Sequence, residues 1–323
     1  MLKVGLVGLG GMGTVHYSNY KYIDNVGVVA VVDPNLSEEK AKELNVKNYA
    51  SITEMVKKES LDIVDVCTPT FLHKPSVMEA LECKVHVICE KPLALSKKDA
   101  KEMLELAKKQ NVKLFVGQVL QYARETVLLK EIIHSKRYGK VLDAQFLRLS
   151  ALPRWIKNGW LFDKDKSGLL PFDLHIHDLD LIISLFGPPK KVSYTSAGRE
   201  DISYQEHYRF SYMYENMTIS AEAAWYNADF PFTATWRIYF ENAVVVNGPE
   251  GMIAYQFDHE PYVFDTTEKV KIPTGINLPP TGMFYYELSD FLNDIQNKDY
   301  VGCAREDEIL KVIEILESIE TLK

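Results

Sequence analysis

The chain has 323 residues, enough for about two domains that each bury a hydrophobic core. Its 37 basic and 45 acidic side chains give a formal charge of −8, and 46% of its residues are hydrophobic. An acidic chain without a concentrated basic patch is not expected to bind nucleic acid. No run of about 18 apolar residues is present, so the sequence predicts no membrane span.

The cysteines form no CxxC pair, and most of them fall in apolar, strand-like runs. They are Cys67, Cys83, Cys89 and Cys303. Thiols in such surroundings are expected to be buried and reduced, which predicts a cytoplasmic protein.

Short β-branched runs recur through the first 120 residues and alternate with amphipathic segments. Apolar runs of this kind are typical of parallel strands that are covered on both faces. They are Lys3–Val7, Val28–Val32, Ile63–Cys67, Val85–Cys89 and Leu114–Val116. Helix starts are indicated by Ser37, by Ser96 and by the Ser51-Ile-Thr-Glu54 capping box. The pattern predicts an α/β fold, with a doubly wound parallel sheet of the Rossmann type over residues 1–119.

The sequence changes in character at about Leu120. From Tyr122 onward lie 14 of the 18 tyrosines and all the tryptophans. Aromatic residues suit a pleated, half-buried surface, so residues 120–323 are predicted to form a second domain with a largely antiparallel sheet. The expected elements are helices at Glu125–Ser135, Tyr285–Gln296 and Glu306–Ile319 and strands at Tyr204–Tyr214 and Thr218–Trp225.

A glycine-rich turn follows the first strand directly and opens a helix. In Gly8-Leu-Gly10-Gly11-Met12-Gly13, the first glycine permits a tight turn, the second lets a pyrophosphate approach, and the last lets helix and strand pack closely. A helix N-terminus at this point directs free N–H groups at a phosphate. The turn therefore predicts a dinucleotide site, with a ligand-free turn as the alternative.

Asp33 ends the second predicted strand, 20 residues after Gly13. A carboxylate at this position accepts hydrogen bonds from a ribose diol and repels a 2′-phosphate, and no arginine follows it immediately. The sequence therefore predicts NAD rather than NADP as the cofactor.

Polar residues follow the next strands at the edge where open α/β sheets bind ligands. Thr68-Pro69 and His73 come after the strand that ends at Cys67, and Glu90-Lys91-Pro92 after the strand that ends at Cys89. We expect these side chains to lie beside the nicotinamide half of the cofactor, with Lys91 directed at a substrate oxygen. A surface lysine paired with Glu90 is the alternative.

The densest polar cluster of the second half runs from Asp173 to Asp180. On a helix, Asp173 and His177 are four residues apart and share a face, so the carboxylate can orient the imidazole. His175, His177 and Asp178 are also metal-ligand types. Residues two apart on a helix point in nearly opposite directions, so catalysis is favoured and no metal is predicted. A helix start capped by Asp173 also remains possible.

The glycine turn, Thr68-Pro69 with His73, Glu90-Lys91-Pro92 and the Asp173–Asp180 cluster together resemble the Gfo/Idh/MocA oxidoreductase family, over essentially the whole chain. The resemblance implies a Rossmann domain and an α/β domain whose large open sheet forms homodimers or homotetramers. It implies hydride transfer between NAD(P) and a hydroxyl or carbonyl of a sugar, inositol or sugar derivative. It assigns catalysis to Lys91, Asp173 and His177 and suggests a cis Lys91–Pro92 peptide. The relatives' basic residue after the sixth strand corresponds to Gln121.

For such a reaction, His177 can take the alcohol proton while Lys91 stabilises the developing alkoxide, and the sequence leaves open which of them is the base. Candidate substrate contacts are Tyr122, Arg154, Trp155 and Trp160, because indoles stack on sugar rings and arginine holds anions. An ordinary loop pinned by aromatic residues is the alternative. An NAD-dependent glycosidase and a non-catalytic NAD-binding regulator also remain as hypotheses.

Overall fold

The structure is a computed structural model that describes residues 1–276, 278–297 and 306–321. Within these ranges the chain divides into two compact units. The first comprises Met1–Tyr122 and Glu268–Ile313, and the second comprises Ala123–Thr267 and the residues from Glu314 onward. The sequence-based domains, 1–119 and 120–323, differ from this division because Glu268–Ile313 groups with the first unit.

A parallel sheet forms the centre of the first unit. Its strands are β1 (Leu2–Val7), β2 (Val26–Val32), β3 (Lys47–Asn48), β4 (Ile63–Val66), β5 (His86–Glu90) and β6 (Leu114–Gly117). Among the described residues these six strands lie in the order β3-β2-β1-β4-β5-β6, and each pairing is parallel. The predicted parallel sheet is confirmed, whereas β3 was missed because two exposed polar residues carry no strand pattern.

Helices alternate with these strands. They are α1 (Gly11–Tyr20), α2 (Glu38–Glu43), α3 (Ile52–Glu59), α4 (His73–Glu82) and α5 (Lys97–Gln110). The side-chain oxygens of Ser37, Ser51 and Ser96 each accept a hydrogen bond from the backbone N–H three residues later. The predicted N-caps of α2, α3 and α5 are therefore confirmed, and each satisfies a backbone donor that the helix leaves without a partner.

The second unit is built on an eight-stranded sheet within the described residues, in the order β14-β13-β12-β11-β7-β10-β9-β8. The strands are β7 (Val141–Ala151), β8 (Lys191–Ala197), β9 (His207–Met213), β10 (Thr218–Tyr226), β11 (Thr233–Phe240), β12 (Ala243–Gly248), β13 (Gly251–Tyr255) and β14 (Tyr262–Val263). β7 and β10 are parallel and the other neighbours antiparallel, which confirms a mostly antiparallel sheet. Helices α6 (Arg124–Ser135), α7 (Lys164–Ser167) and α8 (Ile176–Phe186) belong to the same unit.

The two faces of this sheet differ in burial. Phe146 on β7, Ile238 on β11 and Val245 on β12 are fully buried on one face. On the other face, Tyr239, Val244 and Tyr255 form a cross-strand row in which both tyrosines are exposed. One face therefore carries the core of the unit, and the other is an open surface.

The last helices are α9 (Met283–Gln296) and α10 (Glu306–Thr321). Leu288 and Phe291 of α9 pack in one core cluster with Phe115 of β6, and Ile309 of α10 packs in the core of the first unit. This apolar contact explains why the segment after Glu268 groups with the first unit. No helix in the described ranges has both the length and the apolar content that a membrane crossing requires.

Candidate active site

The glycine turn has the backbone geometry that a nucleotide phosphate needs. Gly8 has a φ of +84°, a left-handed conformation that favours glycine. A Cβ on Gly13 would lie 2.0 Å from the Gly8 carbonyl oxygen, so only glycine lets α1 pack this closely. A Cβ on Gly10 would meet no atom of the described residues within 4 Å, which leaves open space beside the turn. Helix α1 begins at Gly11, so its free N–H groups lie at this turn.

A distant part of the chain packs against the start of α1. The Ile276 side chain would lie 3.5 Å from a Cβ on Gly11, and Met12 packs in the same apolar cluster as Ile276 and Phe284. The sequence did not indicate this contact, because the two segments are more than 250 positions apart in the chain. Ile276 is therefore an additional candidate for contact with a bound nucleotide.

The Asp33 carboxylate is fixed at the end of β2. One oxygen accepts a hydrogen bond from Leu9 N–H at 2.7 Å, and the other accepts one from Asn35 N–H at 2.7 Å. Asn48 also pairs with both the backbone N–H and the backbone carbonyl of Asp33. Each carboxylate oxygen has a second lone pair, so the group can still accept hydrogen bonds from a ribose diol.

His73 joins the loops that follow β4 and β5. Its Nδ1 lies 2.7 Å from the Pro92 carbonyl oxygen and its Nε2 lies 2.9 Å from the Thr68 carbonyl oxygen. Burial lowers the pKa of His73 more than the two carbonyls raise it. The imidazole is almost fully buried, so its predicted part in cofactor binding would be exerted through these two loops and stays a prediction.

Thr68 lies against the glycine turn, where its Cγ2 would be 3.2 Å from a Cβ on Gly8. Its Oγ1 is buried and has no hydrogen-bond partner in the described part of the chain. A buried hydroxyl of this kind is commonly satisfied by water or by a ligand. Pro69 follows directly and precedes a 3₁₀ turn that leads into α4.

Lys91 follows the last residue of β5, and its peptide bond to Pro92 is cis, as the resemblance suggested. The Glu90 carboxylate accepts a hydrogen bond from Lys91 N–H at 3.1 Å. The other Glu90 oxygen lies 3.0 Å from Nε2 of His16, which is buried in α1. The sequence did not predict His16 as a site residue, because its partner Glu90 lies 74 positions away and no local pattern indicates the contact.

Asp173 and His177 lie on one continuous helical segment of the second unit. Pro171–His175 forms a π-helical turn that runs directly into α8. Over Pro171–Ile183, every residue is buried except Asp173 and His177, which are half-buried. A π turn is frequent at functional sites because it redirects side chains within a helix. The segment therefore presents these two side chains from an otherwise buried helix.

The neighbouring residues His175 and Asp178 are buried and hydrogen-bonded in the interior of the second unit. His175 stacks on Phe210 with ring centroids 3.9 Å apart, and its Nε2 is hydrogen-bonded to the Tyr212 hydroxyl. Burial, assisted by Arg148, lowers the pKa of His175 to about 3. Asp178 accepts two hydrogen bonds from Arg148, at 2.8 and 3.1 Å. These contacts occupy two of the three side chains considered as metal ligands.

The candidate substrate residues fall in different surroundings. The Tyr122 hydroxyl donates to Asp290 at 2.5 Å, and its ring is nearly buried in the core of the first unit. Arg154 and Trp155 are exposed, and 77% of Trp155 is accessible. Trp160 is half-buried in the 3₁₀ turn Lys157–Phe162. We therefore keep the loop residues as candidates and read Tyr122 as a core residue.

The first unit fits a dinucleotide. The open space at Gly10 can hold a phosphate, and the fixed Asp33 carboxylate can accept hydrogen bonds from a ribose. The buried hydroxyl of Thr68 adds a polar group without a partner among the described residues.

The predicted state of the cysteines can also be compared with the structure. Burial raises the pKa of the thiols of Cys67 and Cys89, and both cysteines are free. Cys303 lies outside the described residues.

Both units match models of known protein families. Residues 2–118 match the GFO_IDH_MocA model, an oxidoreductase family with an NAD-binding Rossmann fold. Residues 126–254 match the GFO/IDH/MocA C-terminal domain. Together the two matches cover most of the chain.

Individual relatives are more distant. The chain is 31% identical over 187 residues to the 2,7-anhydro-N-acetylneuraminate hydratase of Escherichia coli, which is 58% of this chain and 50% of that protein. It is 31% identical over 189 residues to the myo-inositol 2-dehydrogenase of Thermotoga maritima, covering 58% of this chain and 55% of that protein. The chain thus spans about half the length of the curated relatives it matches.

Solved structures share the fold. Levoglucosan dehydrogenase in complex with NADH and levoglucosan superposes with a TM-score of 0.83 at 21% identity, covering 99% of this chain and 96% of that chain. At this identity the likeness shows the fold alone.

Proposed function

The chain belongs to the Gfo/Idh/MocA oxidoreductase family, and from that premise we propose that it transfers a hydride between NAD and a hydroxyl or carbonyl of a sugar, inositol or sugar derivative. The observation that carries the proposal is the position of Lys91. Both Lys91 and the glycine turn follow carboxyl ends of strands in one parallel sheet, the edge at which such sheets bind ligands.

The residues proposed to hold the cofactor are those of the glycine turn, Asp33 and the Thr68-Pro69 loop. The turn would bind the pyrophosphate through backbone N–H groups, and the Asp33 carboxylate would accept the adenosine ribose hydroxyls. When bound, NAD supplies the hydride acceptor at C4 of its nicotinamide ring. A carboxylate at Asp33 supports NAD over NADP, since it would repel a 2′-phosphate.

The chain's own residues supply charge and proton transfer. Lys91, as a cation, stabilises negative charge that develops on the substrate oxygen. Neutral His177 is proposed to take or return a substrate proton, and Asp173 to orient the imidazole. A proton transfer of this kind contributes roughly 10²–10⁴-fold to a rate. The half-burial of Asp173 and His177 on an otherwise buried helix supports their assignment.

Substrate recognition is proposed for the loop that carries Arg154, Trp155 and Trp160. The ring of Phe162 stacks on Tyr204 and so anchors the loop to the core of the second unit. An exposed indole at Trp155 can stack on a sugar ring, and Arg154 can hold a carboxylate or phosphate.

A second candidate is a reaction with no net redox change, such as hydration or glycoside cleavage assisted by bound NAD. The observation in its favour is the 31% identity to a protein named 2,7-anhydro-N-acetylneuraminate hydratase. Such a reaction would consume its substrate without accumulation of NADH. A non-catalytic regulatory role would show neither change.

A substrate screen distinguishes these possibilities. Inositols, free sugars, sugar acids and glycosides are incubated with the protein and NAD, and NADH formation and substrate mass are followed together. The proposal expects NADH formation with at least one polyol or sugar. Mass change without NADH favours the second candidate, and cofactor binding without any turnover favours a regulator.

We also propose a homodimer or homotetramer that forms through the open face of the eight-stranded sheet. Exposed Tyr239 and Tyr255 on that face support this assembly, since aromatic residues are enriched in interfaces. A cytoplasmic location is proposed on the free thiols of Cys67 and Cys89. Sedimentation of the wild type and of Tyr239→Glu tests the assembly, because a buried charge there should yield monomers.

A further inference from the structure

A cluster of ionisable side chains lies in the interior of the first unit. His16 of α1 is fully buried between Asp65 of β4 and Glu90 of β5. Its Nδ1 lies 2.8 Å from an Asp65 oxygen and its Nε2 lies 3.0 Å from a Glu90 oxygen. The Tyr20 hydroxyl donates to the same Asp65 oxygen at 2.8 Å. The imidazole thus links three elements of the first unit.

The geometry and the raised pKa of His16 both indicate a protonated ring. A neutral imidazole has one N–H donor, whereas both nitrogens of His16 face carboxylate oxygens. Burial lowers the pKa of His16, but the charge and hydrogen bond of Asp65, with smaller contributions from Cys67, together raise it more, so the net pKa lies well above that of an ordinary histidine. We therefore assign an imidazolium between two carboxylates. The other titratable side chains of this interior are Tyr20, Cys67, Cys89 and Glu287.

The Glu90 carboxylate connects the cluster to the proposed catalytic lysine. One oxygen of Glu90 is held by His16, and the other accepts the hydrogen bond from the Lys91 backbone N–H. Glu90 can fix the Lys91 main chain only while its own carboxylate is fixed. His16 and Asp65 supply that restraint from the interior, since neither is accessible to solvent.

We propose that His16, held by Asp65, is a positioning residue that orients Lys91 through the Glu90 carboxylate. The inference rests on the role of Lys91 in the proposed function and deepens it. Without the imidazolium, Glu90 and Asp65 become two buried carboxylates with no cation between them. Two buried like charges repel each other and favour the neutral form of one carboxyl in the variant, which weakens the hold of Glu90 on Lys91.

The same groups include metal-ligand types, because His16, Asp65 and Cys67 offer ligand atoms within 4.8 Å of one another. A hydrogen-bonded network accounts for them better. The Asp65 oxygen nearest His16 already accepts from both His16 and Tyr20. Burial raises the pKa of the Cys67 thiol, so this group is protonated at neutral pH and is a poor ligand.

The first experiment reads the network itself and needs no substrate. Nitrogen-15 NMR of the free protein reports the protonation of the His16 ring, assigned by its loss in His16→Gln. We expect the His16 ring to stay doubly protonated well above the usual histidine pKa of ~6.5, and its pKa to be lower in Glu90→Gln. The Lys91 amide resonance should also move in His16→Gln. A neutral His16 ring, or an unmoved Lys91 amide, overturns the proposal.

His86→Gln is the matched control, because His86 lies at the other end of the strand that carries Glu90. Its Nδ1 accepts a hydrogen bond from Lys113 N–H, so the variant also loses one partly buried imidazole contact. The Lys91 amide should be unchanged in this variant. If the Lys91 amide resonance shifts as much in His86→Gln as in His16→Gln, the loss of any histidine from this part of the first unit disturbs Lys91. That result overturns the proposal.

The second experiment measures turnover with a substrate from the screen. His16→Gln should lower kcat at least about tenfold, since a small displacement of a catalytic group can reduce a rate by ~100-fold. The dissociation constant of NADH should change little, and the pH profile of kcat should gain an acid limb. In His16→Gln/Asp65→Asn the second carboxylate is gone, so the limb should disappear and kcat should partly recover.

The outcomes separate this proposal from the proposed function. Near-normal kcat in Lys91→Met contradicts the assigned role of Lys91, whatever the state of His16. Normal kcat in His16→Gln contradicts the positioning role of His16, and so does a double variant in which the two reductions in kcat simply multiply. Neither result affects the catalytic role proposed for Lys91.

Discussion

The Asp33 carboxylate accepts a hydrogen bond from the Leu9 backbone N–H at 2.7 Å, so the end of β2 is tied directly to the glycine turn. The group proposed to choose between NAD and NADP therefore also holds the loop proposed to bind the phosphates. Because this contact fixes the carboxylate in place, a 2′-phosphate cannot be accommodated by turning the side chain away without the loss of a charge-assisted hydrogen bond.

Asp33→Asn removes the negative charge and keeps an oxygen that can accept from Leu9 N–H. We expect the ratio of the NADPH to the NADH dissociation constant to fall about tenfold, in line with the strength of hydrogen bonds to charged groups. Fluorescence titration with each cofactor gives both constants. Asp24→Asn, at an exposed aspartate between α1 and β2, is the control and should leave the ratio unchanged. Tighter binding of NADPH than of NADH by the wild type would contradict the proposed preference for NAD.

Gly10 and Gly13 are predicted to respond differently to alanine. At Gly13 the new methyl group would lie 2.0 Å from the Gly8 carbonyl oxygen, and overpacking of this kind lowers stability by about 1–3 kcal/mol. At Gly10 the methyl group meets no atom within 4 Å in the part of the chain that the structure describes, so stability is retained while the space for the pyrophosphate is reduced. Urea unfolding and NADH titration of both variants check this. Normal NADH affinity in a stable Gly10→Ala protein would argue against the phosphate cradle.

Local sequence patterns predicted the parts of the site that depend on neighbours in the chain. The glycine turn, the caps at Ser51 and Ser96 and the strand before Lys91 are set by residues a few positions apart. The partners of His16 are different, because Asp65 and Glu90 lie 49 and 74 positions away and meet it only through the order of the strands.

The C-terminal segment shows the same limit. The helical pattern of α9 was recognised, but its sequence does not say which sheet its apolar face will cover. Phe291 stacks on Phe115 with ring centroids 4.8 Å apart, and Tyr122 packs edge-on against the same Phe291 ring. Tyr122 was predicted as a substrate contact from its position in the chain alone. In the structure it is surrounded by core residues.

Arg148 of β7 forms a buried ion pair with Asp178 of α8, the helix that also carries His177. Burial raises the pKa of Asp178, and Arg148 opposes that effect. Arg148→Met leaves a buried carboxylate without its cation, which is expected to lower the free energy of unfolding by about 3–5 kcal/mol. Arg148→Met/Asp178→Leu should recover much of that loss, since replacement of both charges by apolar groups is often neutral. Urea unfolding gives the values, and a double variant less stable than Arg148→Met would refute the account.

His175 makes the stability of the fold sensitive to acid. Its pKa of about 3 in the folded chain lies below the unfolded value of about 6.5, so the folded state binds fewer protons. The stabilisation by the neutral ring is complete above pH ~6.5 and is lost as the pH falls towards 3, by about 2 kcal/mol between pH 6.5 and pH 5. Urea unfolding of wild type and His175→Gln over this range isolates the effect. Parallel pH curves for the two proteins would contradict it.

The most direct test of the catalytic assignment measures turnover and cofactor binding on the same preparations of wild type, Lys91→Met and His177→Ala. Each variant is expected to lower kcat at least about 100-fold, because it removes a charge or proton-transfer group from the reaction. NADH affinity should stay within about threefold, since the proposed phosphate and ribose contacts are intact. Lys98→Met, at an exposed lysine of α5, serves as the control and should match the wild type. Near-wild-type kcat in Lys91→Met, with NADH bound normally, would contradict the central claim.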